Sequence, residues 1–216
     1  SIAKGTIVGI LGPNGAGKTT LISIISGLLK QDEGTVQLLG KSNKDKSVKY
    51  FLGVVPQEYA LYFDLTPQEN LWYFGKMWGI SNTILQQKID DLLDILGLRA
   101  VQHKKLKTFS GGMKRRINLA ASILNDPEIL ILDEPTAVLT PQETISLFEV
   151  LKKLRSQGTT IMIITHKLKE VMALCDNVTV MRAGKVVHES TIANTSTEKL
   201  AQAMVGRTVH IGAQDV

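Results

Sequence analysis

The chain has 216 residues, 44% hydrophobic and 21% charged, with a formal net charge of +5. This suits one sizeable globular domain with a substantial core. It excludes an internal disulfide, because Cys175 stands alone, and it excludes a membrane-crossing helix, because the longest apolar run, "LISIISGLL", falls far short of the ~20 residues that span a bilayer. No charged-then-apolar signal segment opens the chain, and the cations are scattered, so nucleic acid is not an expected partner.

The opening "SIAKGTIVGI" reads as a linker running into a buried strand, "TIVGIL" at 6–11. A Gly-rich loop at 12–17 follows, then a helix over "KTTLISIISGLL". Strands are predicted over "GTVQLLG" at 34–40 and "FLGVVPQ" at 51–57, with the polar loop "KSNKDKS" at 41–47 between them. From 58 to 109 helical signals dominate. "TPQENLWYFGKMWG" has Pro67 near a helix start, and in "TILQQKIDDLLDIL" the residues Ile84, Leu85, Ile89, Leu92, Leu93 and Leu96 form one apolar stripe at helical spacing.

After 110, strands and helices alternate again: a helix at about 112–124, the strand "EILILD", a helix at about 141–156, the strand "TTIMIIT", a short helix at 167–174, and the strand "NVTVM". Gly184 turns the chain into "KVVHE", and "TEKLAQAMVG" reads as a short closing helix. Alternation of this kind predicts an α/β fold, a mostly parallel sheet covered on both faces. A helical lobe is inserted in it. Cys175, in "VMALCDNV", is expected to be a small buried apolar residue.

Three segments carry chemistry. "GPNGAGKT" has the spacing G-x-x-x-x-G-K-T at Gly12, Gly17, Lys18 and Thr19, between a predicted strand and a predicted helix. Its small residues, Gly12, Pro13, Asn14, Gly15, Ala16 and Gly17, let backbone N–H groups converge on phosphate oxygens. The positive end of the helix, with Thr19 and Thr20 in its first turn, adds to the attraction. Lys18 reaches the outer phosphates and Thr19 offers its hydroxyl to magnesium. In "ILILDEP" a buried strand delivers Asp133 and Glu134 to the end of the sheet. Neighbours on a strand point opposite ways, so the pair is expected to divide the work: Asp133 towards the metal shell, Glu134 towards the attacking water. In "TFSGGMKRRINL", Ser110, Gly111 and Gly112 stand where a helix begins, a second place suited to an anion. Lys114, Arg115 and Arg116 are expected on the solvated and capping face of that helix.

This ordered set resembles the nucleotide-binding domains of ABC ATPases over nearly the whole chain: phosphate loop, "VVPQE", helical lobe, "FSGGM", "ILILDEP", "IITHK". The resemblance implies a P-loop fold in a single domain, with a core over 1–57 and 111–190, a helical subdomain at about 58–110 and a tail over 191–216. It implies ATP and Mg2+ as ligands, with Gln57 beside Thr19 and Asp133 at the metal and His166 at the γ-phosphate. Lys18, Glu134 and His166 are then the catalytic set. It further implies that Ser110–Gly112 of one chain closes on the phosphate loop of another, in an ATP-dependent head-to-tail dimer. A transmembrane permease would dock near 58–80, where most of the aromatic residues between Tyr50 and Trp78 lie, which places the protein on the cytoplasmic face of a membrane. The activity implied is ATP hydrolysis that powers transport. Two other readings are an ABC-type ATPase acting on nucleic acid or ribosomes, and a nucleotide-binding scaffold with little turnover.

The chain also departs from the family pattern. Members carry strands and an adenine-stacking aromatic ahead of the phosphate loop, which are missing here or supplied from elsewhere. Met113 replaces the usual Gln of the signature, and Thr140 the usual Asp of the loop after the acidic pair. Residues 1–135 look like exporter-type members, whereas 136–207 look like the first half of tandem sugar or nucleoside importers. A natural recombinant, an engineered chimera and a divergent lineage would each produce this, and a chimera or truncated chain is the expectation.

Overall fold

A computed structural model describes residues 1–206. The strands are β1 (Ile7–Leu11), β2 (Gln37–Leu38), β3 (Lys41–Ser42), β4 (Leu52–Val55), β5 (Ile129–Asp133), β6 (Thr160–Thr165), β7 (Asn177–Arg182) and β8 (Lys185–Thr191). The helices are α1 (Lys18–Ile25), α2 (Pro67–Met77), α3 (Asn82–Ile95), α4 (Gly111–Ile123), α5 (Pro141–Ser156), α6 (Leu168–Leu174) and α7 (Thr197–Val205). Six strands form one sheet in the order β4-β5-β6-β1-β7-β8. All pairings in it are parallel except β7 with β8.

Strand alternation sorts the apolar side chains into two cores. Ile7 and Leu11 of β1, Leu130 and Leu132 of β5, and Ile161 and Ile163 of β6 face one side, against buried residues of α4, α5, α6 and α7. Val8, Ile10, Ile131, Met162 and Ile164 face the other, where Ile22 of α1 packs. A sheet buried on both faces needs continuous apolar strands, and the sequence supplies them. Cys175 is buried, and burial pushes its thiol up to about 12, so it behaves as a small apolar residue.

Three local expectations change. The strand predicted over 34–40 shrinks to a two-residue ladder, because Leu39 and Gly40 both turn left-handed (φ 51° and 77°) and fold β2 onto β3. The loop predicted at 41–47 therefore opens with β3, and Asn43 is buried, its side chain donating to the Ile24 carbonyl at 2.6 Å. The strand predicted from 51 starts at Leu52, after a 3-10 turn over Lys46–Phe51.

In the helical segment, Thr66 and Glu69 cap α2 reciprocally and Pro67 occupies its first turn. The stripe on α3 is narrower than predicted. Leu85, Ile89 and Leu93 are fully buried and Leu96 nearly so, but Ile84 is 55% exposed and Leu92 only partly covered. Leu85 packs so closely on α2 that a Cβ at Gly75 would overlap it. Replacing Leu85 with Ala should therefore cost about 2–5 kcal/mol of stability, whereas Ile84→Ala should stay within about 0.5 kcal/mol. Urea denaturation of the two variants measures the difference.

Candidate functional site

Strand register brings the chemistry together. Leu11 is paired with Thr165, Asp133 with Ile164, and Val55 with Leu132. The residues that leave these strands, Gly12, His166, Glu134 and Pro56–Gln57, therefore emerge side by side at one edge of the sheet. Gln57, Glu134 and His166 thereby join Asn14, Gly15, Ala16, Gly17, Lys18, Thr19, Thr20, Asp133 and Ala137 in lining a cleft of about 480 Å3.

The Gly-rich loop is shaped by steric necessity. A Cβ at Gly12 would collide with the Met181 carbonyl of the neighbouring strand. Gly17 caps α1 with φ 95°, a conformation that favours glycine. The first N–H groups of α1 have no helical acceptors, so the loop and the helix end form a concave donor surface. Lys18 is buried, and its Nζ donates to the carbonyls of Gly12 at 2.7 Å and Pro13 at 3.0 Å. The loop's own carbonyls thus hold the ammonium beside the donors that an anion would meet.

Asp133 and Glu134 are both buried. Burial, and then the neighbouring Glu134, hold the Asp133 carboxyl above the ordinary carboxylate range, while Arg115 and Lys18 pull against the shift. Both acids line the cleft, and the direction of Glu134 is not set by strand alternation. Glu134 lies one residue past β5 with a left-handed φ of 45°, and its N–H still bonds the Ile164 carbonyl at 2.9 Å. The turn rotates its side chain towards His166, whose Nδ1 lies 2.9 Å from Oε1, while Thr165 Oγ1 reaches Oε2 at 3.5 Å. A non-glycine residue held at positive φ is a mark of functional sites.

Ser110, Gly111 and Gly112 do not line the cleft. Ser110 caps α4, accepting from Met113 N at 3.1 Å, and a Cβ at Gly112 would overlap the Glu143 carboxylate of α5. Thr140 in turn caps α5. Tyr59 Oη donates to the Gly111 carbonyl at 3.0 Å.

One expectation on α4 is overturned. Lys114 lies over the Phe63 ring and Arg116 reaches the Leu96 carbonyl, but Arg115 is only 3% exposed. It points to the sheet, not to solvent, because it starts a polar stripe of Arg115, Asn118 and Ser122 at helical spacing that faces the end of β4. Sequence reading missed Arg115, Ala137 and Tyr59. The three-then-four spacing of the stripe was the available signal for Arg115, and nothing comparable marks the other two.

The family pattern described as ABC transporter matches residues 1–137. With the fold and cleft above, the chain belongs to the ABC transporter family. It is 41% identical over 189 residues to the linearmycin resistance ATP-binding protein LnrL of Bacillus subtilis, covering 87% of this chain and 61% of that protein. It is 37% identical over 192 residues to the daunorubicin resistance ATP-binding protein DrrA3 of Streptomyces coeruleorubidus, covering 88% and 61%. The chain thus spans about three-fifths of the length of these curated relatives. Among solved structures, cbiO1 from Clostridium perfringens, part of the ABC transporter complex cbiONQ, superposes with a TM-score of 0.84 at 28% identity, over 95% of this chain and 85% of that one. An ATP-binding subunit of an ABC transporter gives 0.84 at 26% identity, over 94% and 90%. No helix among the described residues is long and apolar enough to cross a membrane.

The Asp133 shift has a consequence for stability. A carboxyl whose folded pKa is raised makes the folded state bind more protons than the unfolded chain, so its penalty grows as pH rises from the ordinary 3.8 through the folded value. Asp133→Asn removes that penalty. The nucleotide-free variant should unfold at higher urea than the parent at pH 7, and the gain should shrink as pH falls towards the ordinary aspartate range.

Proposed function

We propose that the chain is the ATP-binding and ATP-hydrolysing module of an ABC-type membrane transporter. The observation that carries this reading is the single cleft into which the sheet edge gathers Lys18, Thr19, Gln57, Asp133, Glu134 and His166.

In this mechanism the N–H groups of Gly15 to Thr20 hold the phosphates of ATP. Lys18 exchanges the Gly12 and Pro13 carbonyls for outer phosphate oxygens. The hydroxyl of Thr19, the amide of Gln57 and the carboxylate of Asp133 are hard oxygen donors in one cleft, which suits magnesium held by few protein ligands plus phosphate. The metal supplies charge neutralisation on the transferring phosphoryl group. Glu134 accepts the proton of a water in line with the γ-phosphate bond. His166, hydrogen-bonded to Glu134, orients that carboxylate on the side of the cleft where the γ-phosphate lies. As the water oxygen bonds to the γ-phosphorus, the bond from that phosphorus to the bridging β-phosphate oxygen breaks and its electron pair leaves with ADP, giving ADP and phosphate.

The Ser110–Gly112 loop opens α4 away from the cleft, so its free N–H groups reach a γ-phosphate only on a second copy or a paired homologous chain, head to tail. The helical segment at about 58–110 carries half-exposed Tyr62, Phe63 and Tyr73. A permease helix docking there would keep the module on the cytoplasmic face of the membrane.

Glu134→Gln should lower turnover by about 10²–10⁴-fold, the usual worth of a positioned base, with ATP still bound. Lys18→Ala should weaken ATP binding about tenfold or more, because a charged hydrogen-bond donor is lost. Hydrolysis at the parental rate in Glu134→Gln sinks the assignment of the base. Light scattering on Glu134→Gln should show a monomer that doubles in mass with Mg-ATP. A dimer of unchanged mass without nucleotide would contradict the sandwich.

A further inference from the structure

Arg115 is the one member of the three-cation run that the sheet swallows, and no carboxylate oxygen lies within ion-pair distance of it among the described residues. Its guanidinium instead donates to four main-chain carbonyls. Nη1 reaches Pro56 and Gln57 (the latter at 3.3 Å), Nε reaches Pro135 at 3.1 Å, and Nη2 reaches Asp133. These carbonyls belong to two strand exits. Pro56 and Gln57 leave β4; Asp133 ends β5, and Pro135 follows it across Glu134. The guanidinium also borders a second cavity, of about 560 Å3, shared by Gln57, Tyr59, Glu134 and Ala137.

Burying a cation without a direct ion pair is costly; burial lowers the Arg115 pKa, and the carboxylates of Asp133 and Glu134 offset this only from beyond bonding distance. A purely structural contact between α4 and the sheet is available at lower cost, as Ser122 shows by donating to the Val54 carbonyl at 2.9 Å. The planar fork of arginine does something that a hydroxyl does not: it fixes two separate loops relative to one another. Both loops carry a side chain of the cleft, and the helix that carries the fork begins at Ser110–Gly112. We infer that Arg115 is a positioning residue that holds Gln57 and Asp133 in mutual register and ties that register to the orientation of α4, so that the metal-binding geometry of the cleft is set from the helical side.

This inference rests on the ATP-binding reading of the cleft, but its test reads binding and needs no turnover. The phosphate loop makes no bond to Arg115, so ATP affinity in EDTA should be the same in the parent, Arg115→Lys and Arg115→Met. Affinity with saturating Mg2+ should fall about tenfold in Arg115→Met, and the Mg2+ concentration that gives half of the metal-dependent gain should rise. Arg115→Lys keeps the charge but loses the fork, and should fall between. In the Gln57→Ala background the Arg115→Met effect should shrink to about threefold or less, because one of the two registered groups is already gone.

A merely structural role would lower the EDTA and Mg2+ affinities together, along with the melting temperature, and would be additive with Gln57→Ala. That pattern overturns the inference, as does a magnesium requirement unchanged in Arg115→Met. Should Arg115→Met fail to fold, Arg115→Lys alone decides, since its ratio of Mg2+ to EDTA affinity must still drop. If the parent binds no ATP even in EDTA, the reading of the cleft fails first, and the two failures are thereby told apart.

Discussion

The site depends on the register of four parallel strands. Val55 pairs with Leu132, Asp133 with Ile164, and Leu11 with Thr165, so the strands β4, β5, β6 and β1 finish almost level. Whatever follows each strand is delivered to the same edge. A slip of one residue in β6 would turn Ile161 and Ile163 towards the α1 face and Met162 and Ile164 away from it. Because both faces of the sheet are packed, hydrophobic burial enforces the register, and the register aligns Gly12, Gln57, Glu134 and His166 without any contact among those residues being needed. The core and the site are therefore one constraint expressed twice.

The cleft carries local costs that the fold absorbs. Glu134 sits at positive φ, Asp133 keeps its carboxyl above its ordinary range, and Lys18 and Arg115 are buried cations bonded to carbonyl oxygens. Each arrangement is less favourable than a solvated alternative, and each places a charge where phosphate or metal chemistry would use it. A sequence selected only for stability would relax them, which is why the buried charges Lys18, Arg115, Asp133 and Glu134 gather at this edge of the sheet.

The inner strands of the central sheet were legible because they are apolar on both faces, and α5 because strands and helices alternate after 110. The Gly-rich loop between β1 and α1 was legible from its spacing and from its place between a predicted strand and a predicted helix. Other features were settled by tertiary geometry. The acidic pair was read as two strand neighbours, yet Glu134 lies one residue past β5, where a left-handed turn sets its direction. The stripe on α3 lost Ile84 because only a narrow face of the helix, led by Leu85, packs on α2. Arg115 looked like its two neighbours, and only the direction of α4 relative to β4 separates a buried fork from a surface cation. The strand predicted at 34–40 was cut short by a left-handed Leu39 that its residue type does not announce.

The most direct test of the account asks whether metal and nucleotide meet at the predicted edge of the sheet. Electron paramagnetic resonance of Mn2+ added to the chain with ATP reads the metal's own ligands. The account predicts one protein-bound Mn2+ per chain that requires ATP, shows phosphorus couplings, and changes its spectrum in Asp133→Asn while ATP stays bound. A spectrum identical to that of free Mn-ATP, or a bound signal indifferent to Asp133→Asn, would contradict it.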